Sequence, residues 1–183
     1  NASKFVHIYT KNFEKTNLTE VELVVNRWIV NQFNECLKQF NELFDNYKIS
    51  DAYKLLYNFL WSDLFDWYFE FSKNLVEDES TKNETQAVLL SIFSESLKIL
   101  NPAMPHITEE IWSTFNKNLI IDNDWPNEIT VKETDLHEVG ELKNVINQIR
   151  NFRNNYNIKN NLVMELLPQL QYSEWFKFQL EKI

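Results

Sequence analysis

Carboxylates and large aromatic side chains are interleaved in one segment of this sequence, between residues 59 and 77. Asp66 and Glu70 are four residues apart and Lys73 follows three residues later, so an α-helix would place all three on one face. A carboxylate beside an aromatic ring can accept hydrogen bonds from the exocyclic amines of unpaired nucleic-acid bases while the ring stacks on a base. The polar positions of this face are Asp63, Asp66, Glu70, Lys73 and Glu77, and the aromatic residues around them are Trp61, Phe65, Trp67, Tyr68, Phe69 and Phe71.

Two other interpretations of this polar face stay open. It can be the solvated side of a core helix, where an exposed pair such as Glu70 and Lys73 contributes little to stability, and the pattern alone favours this interpretation. Two of the carboxylates could instead form the acid/base pair of a hydrolase. The chain offers neither a nucleophile with its base nor an oxyanion hole to support such a pair. We therefore expect no catalytic residues in this chain.

A second candidate surface lies near the C-terminal end of the sequence. The span 142–164 contains no acidic residue but includes Lys143, Arg150 and Arg153. These three residues are seven and three positions apart, so a helix would place them on one face. That face can be simply solvated, or its guanidinium groups can contact a phosphate backbone.

The composition excludes several classes of protein. The chain of 183 residues has one Gly, which argues against phosphate-binding glycine loops, and Cys36 is its single cysteine, so no internal disulfide can form. His7, His106 and His137 lack the spacing of metal ligands, and we expect no metal site. The net charge of −9 argues against extensive sequence-independent binding to nucleic acid. No signal peptide or long apolar run is present, which predicts a cytoplasmic protein without a membrane partner.

Apolar periodicity predicts four main helices before residue 117. Thr19 and Glu22 form a capping box ahead of the first long helix, whose apolar positions continue to Phe44. Ser50 or Asp51 is then expected to cap the second long helix.

The second long helix is apolar almost all the way round from Ala52 to Leu75, so we expect it in the middle of a bundle. The third helix is predicted to begin near Thr81, with Glu84 completing another capping box, and to stop before Pro102. Pro105 is well placed as the first residue of the fourth helix.

These elements predict a mainly α-helical chain whose first part, residues 1–117, is an antiparallel helical bundle. Residues 118–135 are expected to form a connecting loop, because their periodicity fades. Residues 136–183 are expected to begin with a helix, and the apolar run 162–167 is compatible with a strand before a last helical stretch, 172–183. A small α/β appendage at the C-terminus is therefore left open.

Several stretches of the sequence resemble one family in the order in which that family has them. The family is the anticodon-binding domain of class I aminoacyl-tRNA synthetases of the valyl, isoleucyl and leucyl subgroup, and the Asp-Trp-Tyr-Phe-Glu run at 66–70 is most similar to the valyl branch. The resembling stretches are Asn-Ala-Ser-Lys-Phe-Val (1–6), Asn-Arg-Trp-Ile-Val (26–30), residues 59–73, residues 100–112, and Ile-Arg-Asn-Phe-Arg (149–153).

The resemblance implies roles for particular residues. Lys4 and Phe5 match the pair that approaches the anticodon, and Phe69 and Glu70 match the helix that faces it. A carboxylate suits the valine anticodon, which presents the exocyclic amines of adenine and cytosine. The full set implied for anticodon binding is Lys4, Phe5, Asp66, Phe69, Glu70 and Lys73, with Lys143, Arg150 and Arg153 as phosphate contacts, while Trp61, Phe65 and Trp67 would hold the face in place.

The same resemblance implies partners and limits. The partners would be tRNA(Val) and the remaining domains of the same synthetase, and the chain would be a piece of that larger enzyme. The complete valine-tRNA ligase would use ATP and magnesium, but the family's catalytic motifs are absent here, so neither catalysis nor a cofactor is expected in this chain. The alternatives are the same domain of an isoleucyl or leucyl enzyme, or a helical protein-interaction module.

Overall fold

The computed structural model of the protein describes residues 2–11, 13, 21–132 and 137–158, and it divides into two compact units, residues 1–133 and 134–183. Helices predominate among the described residues and no strand occurs there, which confirms the predicted mainly α-helical fold. The helices of the first unit are α1 (Ala2–Thr10), α2 (Val24–Asp45), α3 (Ile49–Asn58), the π-helix π1 (Phe59–Tyr68), α4 (Phe69–Glu77), α5 (Lys82–Leu100) and α6 (Pro105–Trp112), and that of the second is α7 (His137–Asn155).

Helices α3, π1 and α4 follow one another without a break, because the residues at both junctions keep right-handed helical backbone angles. This long helix lies antiparallel to α2 and to α5. The three together form the bundle of the first unit. The hydroxyl of Tyr53, near its beginning, lies 3.5 Å from the carbonyl of Ile99 at the end of α5. The hydroxyl of Tyr68, at the end of π1, donates to Asn26 at the beginning of α2. The predicted central position of this helix is therefore confirmed.

The ten-residue π-helix inside the long helix is a feature that the sequence pattern does not indicate. At its end, the backbone amide of Phe69 donates to the carbonyl of Leu64, five residues earlier. Insertions of π-helix are rare and frequently occur at functional sites. This one ends immediately before Phe69 and Glu70, the two residues predicted to face the anticodon.

Helix ends agree with the sequence except where capping is concerned. Helix α5, the third of the predicted helices, starts after Thr81 and ends before Pro102, and α6 starts at Pro105, as predicted. The capping box expected for Thr81 and Glu84 is not formed; the Glu84 carboxylate accepts instead from Leu23 and Asn26, and the Thr81 hydroxyl donates to the carbonyl of Leu75. The helix predicted to begin at Ser50 or Asp51 begins one or two residues earlier, at Ile49.

Helix α2 also lacks a side-chain cap from its own sequence. The capping box predicted at Thr19 and Glu22 is wrong, because residues 21–23 are not helical and α2 begins at Val24, after Leu23, whose amide donates to Glu84; Thr19 itself lies outside the described residues. The turn that ends α2 uses Tyr47 at a φ of 58°, a left-handed conformation usually taken by Gly, in a chain with one Gly.

The segment after α6 is irregular but held against α2. The side chain of Asn34 exchanges two hydrogen bonds with the backbone of Ile129, at 2.8 and 2.9 Å, and the indole of Trp125 donates to Asn41. The strand and helix predicted at 162–167 and 172–183 lie outside the described residues. No helix among the described residues is long and apolar enough to cross a membrane.

Candidate nucleic-acid interface

A stacked pair of aromatic rings joins the first helix to the long helix. The rings of Phe5 in α1 and Phe69 in α4 lie with centroids 4.1 Å apart and planes 8° apart. Phe69 is 5% exposed, and the Phe65 ring also contacts it, at 5.3 Å. Phe5 is partly exposed and has Tyr9 on its own helix at 4.5 Å. Phe69 is thus the covered ring of the pair, and Phe5 the ring nearer to solvent.

Charged groups of both signs adjoin the stacked pair in the chain. Lys4, the neighbour of Phe5, and Asp66 and Glu70, on the long helix, are all exposed. The ammonium of Lys73 lies 2.6 Å from a carboxylate oxygen of Glu70, with side chains that are 41% and 55% exposed. Pairs this exposed contribute little to stability. The polar face predicted from the sequence is therefore on the surface, where its carboxylates can accept hydrogen bonds from a ligand.

The three aromatic residues expected to support this face do not behave alike. Trp67 is 5% exposed and packs on Phe71, and the partly exposed Phe65 contacts Phe69. The expectation for Trp61 is wrong, because Trp61 is 63% exposed. Its ring stacks on that of exposed Tyr57, with the two centroids 5.8 Å apart. Trp61 comes four residues after exposed Tyr57, so the two side chains share the solvent side of the long helix.

A largely buried hydrogen-bond network begins at Tyr68, the residue before Phe69. The hydroxyl of fully buried Tyr68 donates to Oδ1 of Asn26 at 2.8 Å. The amide of Asn26 donates to Oε1 of Glu84 at 2.9 Å and to the hydroxyl of Thr85 at 3.3 Å. The same Glu84 oxygen accepts the backbone amide of Leu23 at 3.0 Å. Burial, and secondarily the charge of Glu84, raises the pKa of Tyr68 well above its ordinary value, so its hydroxyl stays a donor.

Sequence reasoning missed Asn26 and Glu84 as part of this region. Glu84 was predicted to cap its own helix, but it does not. It caps α2 instead, from the start of α5. A signal for Asn26 was available, because an amide side chain stands among the apolar residues of the 26–30 stretch and a buried amide must find partners.

The basic residues of the second unit lie on α7. Arg150 is exposed, and Lys143 and Arg153 are partly exposed. All three therefore have side-chain surface in contact with solvent, while their sharing of one face stays a prediction from their spacing.

The first unit thus has a partly exposed aromatic ring at Phe5, with an exposed ammonium group at the preceding position of α1 and exposed carboxylates on the long helix that carries Phe69. Such a surface suits a planar, unpaired base that stacks on a ring and donates through an amine. Among the described residues, no three His, Cys, Asp or Glu side chains lie close enough together to hold a metal ion.

Comparison with known proteins identifies the family. Residues 26–167 match the family described as "Anticodon-binding domain of tRNA ligase". The chain is 37% identical to a valine–tRNA ligase of Mesoplasma florum over 75% of its length, 34% identical to that of Buchnera aphidicola over 94%, and 32% identical to that of Listeria innocua over 100%. These matches cover 16%, 19% and 21% of the relatives, so the chain spans about a fifth of their length. The chain belongs to the family of anticodon-binding domains of tRNA ligases.

Proposed function

We propose that this chain is the anticodon-binding part of a valine–tRNA ligase and that it receives the anticodon loop of tRNA(Val). The observation that carries the proposal is the Phe5–Phe69 stack, with the exposed Glu70 following Phe69 directly in the chain. The valine specificity is supported by relatives named valine–tRNA ligase at 32–37% identity.

Within this proposal, the residues divide the work according to their exposure. Phe5 offers ring surface to a base, and the covered Phe69 supports it from beneath. Glu70 and Asp66 accept hydrogen bonds from exocyclic amines. Lys4 supplies a single charged contact to the loop, since an ammonium cannot make the bidentate contacts of arginine.

Lys73 has two functions in the proposal. Its ammonium holds the carboxylate of Glu70 at 2.6 Å in the absence of RNA, and it is near enough to the surface to contact a phosphate. Lys143, Arg150 and Arg153 contribute phosphate contacts from α7, where guanidinium groups bind phosphate oxygens well. Such contacts position the RNA without reading its sequence.

The aminoacylation reaction itself is assigned to other parts of the ligase. The ATP and magnesium that it requires are bound, in this proposal, outside the present chain. The chain contributes by holding the anticodon so that the far end of the tRNA reaches the catalytic domain. Its effect is expected mainly in kcat/KM for tRNA.

Anticodon-swapped substrates test the proposal. Aminoacylation by the ligase is measured with tRNA(Val) and with the same tRNA carrying an isoleucine, leucine or unrelated anticodon. We expect each lost base-specific contact to lower kcat/KM by a factor that corresponds to about 1–3 kcal/mol of discrimination. Equal kcat/KM for all anticodons would refute base reading, and preference for the isoleucine or leucine anticodon would reassign the specificity.

A further inference from the structure

We infer that Tyr68, Asn26 and Glu84 are positioning residues for the proposed anticodon surface, because one chain of hydrogen bonds through them fixes the end of π1, next to Phe69 and Glu70, to the starts of α2 and α5. The inference rests on the proposed function. None of the three residues is placed in contact with RNA, and each acts through the residues that are.

The network joins three helices at one point. Glu84 is at the beginning of α5, and one of its carboxylate oxygens accepts both the backbone amide of Leu23, which precedes α2, and the side-chain amide of Asn26. Asn26 then accepts the hydroxyl of Tyr68 from the end of π1. A carboxylate at a helix start also interacts favourably with the helix dipole. The starts of α2 and α5 and the end of π1 are therefore fixed to one another.

The connection to the RNA surface is covalent and short. Tyr68 is followed directly by Phe69, on which Phe5 stacks, and then by Glu70. In a helix, these three consecutive side chains point in different directions, so the direction of Tyr68 fixes the directions of the next two. Tyr68 is 0% exposed and points into the bundle, whereas Glu70 points to solvent. Anchoring the Tyr68 hydroxyl thus sets the rotation of the helix at the recognition surface.

Apolar packing alone would not provide this control. Burial of a ring is favourable in many orientations, because the hydrophobic effect is not directional. A hydrogen bond is directional, and a buried network in which each member has its partners makes the arrangement rigid. Both ends of the Asn26 amide are used, since it also donates to Thr85. Phenylalanine at position 68 would fill nearly the same volume, so the hydroxyl itself can be tested.

The decisive variant is Tyr68→Phe in the ligase, with Tyr53→Phe as the matched control. Tyr53 lies on the same long helix, and its hydroxyl makes only a 3.5 Å contact with a backbone carbonyl. We expect Tyr68→Phe to lower kcat/KM for tRNA(Val) roughly tenfold, because without the bond to Asn26 the helix that orients Phe69 and Glu70 is free to rotate. It should leave kcat/KM for an anticodon-swapped tRNA unchanged, and Tyr53→Phe should change neither value.

This comparison separates positioning from a merely structural role. A variant that only reduced the folded fraction would lower kcat/KM for both tRNAs by the same factor. Equal effects on both tRNAs, or no effect on either, would therefore overturn the inference while leaving the proposed function intact. If the wild-type ligase does not discriminate between the two tRNAs, the proposed function fails, and the inference fails with it.

Substitutions of Glu84 provide a rescue test. Glu84→Gln keeps an amide oxygen that can accept from both Leu23 and Asn26, so we expect discrimination close to that of the wild type. Glu84→Ala removes the acceptor and should reduce discrimination as Tyr68→Phe does. Equal discrimination by the two Glu84 variants would contradict the inference. If Glu84→Ala does not fold, Tyr68→Phe alone decides.

Discussion

Phe5 and Phe69, which stand on separate helices, stack with their ring centroids 4.1 Å apart and their planes 8° apart. The contact attaches α1 to the long helix next to the exposed ion pair of Glu70 and Lys73. It also decides which ring is available, because Phe5 is partly exposed while Phe69 is covered. A base approaching this surface therefore meets Phe5 first.

The first prediction concerns the ring of Phe5. Phe5→Ala should weaken binding of the valine anticodon stem-loop by about 1–3 kcal/mol, which is the typical contribution of one base stacked on an aromatic side chain. Because Phe69 would be uncovered in this variant, a small loss of stability is also expected. Titration of the ligase with the anticodon stem-loop measures the loss of binding. Thermal unfolding of the chain measures the loss of stability.

Ile8→Ala is the control for this variant. Ile8 is 58% exposed on the same helix, so its substitution removes apolar surface from α1 without disturbing the stack. Equal losses for Phe5→Ala and Ile8→Ala would mean that α1 acts only as a helix and that the Phe5 ring has no specific part.

The second prediction separates recognition from stability at Glu70. Glu70→Gln removes an exposed i,i+3 ion pair with Lys73, so the free energy of unfolding should change by less than about 1 kcal/mol. Discrimination between anticodons should nevertheless fall, because a neutral amide accepts hydrogen bonds more weakly than a carboxylate. The measurements are denaturant unfolding and kcat/KM with tRNA(Val) and anticodon-swapped tRNA.

The chain contains a matched pair for comparison. Glu79 and Lys82 form another exposed i,i+3 ion pair, at 2.9 Å, in the turn that follows α4 rather than on the polar face of the long helix. Glu79→Gln should have the same small effect on stability and no effect on discrimination. The assignment of Glu70 fails if the two variants discriminate equally well.

The third prediction concerns the salt dependence contributed by α7. Arg150→Gln should weaken tRNA binding to the same extent for every anticodon, because contacts to phosphate carry no sequence information. Each lost phosphate contact should also reduce the slope of log K against log salt by about 0.7–0.9. Titrations at several salt concentrations test this, with Gln148→Ala on the same helix as the uncharged control. An unchanged slope would exclude a phosphate contact for Arg150.

The fourth prediction concerns the buried thiol of Cys36 at alkaline pH. Burial, and secondarily the charge of Asp63, raises the pKa of Cys36 from 9.0 to about 12. Since the pKa is higher in the folded chain, this group stabilises the fold fully below pH 9, and its contribution is lost as pH rises towards 12. The free energy of unfolding should therefore decrease with pH by up to about 1.4 kcal/mol per unit in this window.

Denaturant unfolding at several pH values measures this slope, and Cys36→Ala provides the comparison. The variant should show a shallower decrease above pH 9, because the thiol no longer contributes. In the native chain, the thiol should also react with disulfide reagents only as fast as the chain opens. Identical slopes in the two proteins would mean that Cys36 titrates normally in the folded state.

Local sequence was sufficient for most helices and for the polar face. Pro105 starts a helix because its missing amide hydrogen is not needed in the first turn, and this depends on no other part of the chain. The spacing of Asp66 and Glu70 likewise predicts exposed carboxylates, since burying a charged group costs free energy and charged side chains therefore turn towards water. The family resemblance added which of these groups to connect with an anticodon.

Contacts between helices were decided only by the tertiary structure. Glu84 stands at a position that suits a cap for its own helix, yet it caps α2, because packing brings the unpaired amide of Leu23 within 3.0 Å of its carboxylate. Trp61 was expected to support the face but is exposed, because it shares the solvent side of the long helix with Tyr57. The pairing of Phe5 with Phe69 also depends on how two distant segments pack. Periodicity along a chain describes which side of a helix is apolar, whereas the choice among many apolar and polar partners is made by packing the whole bundle.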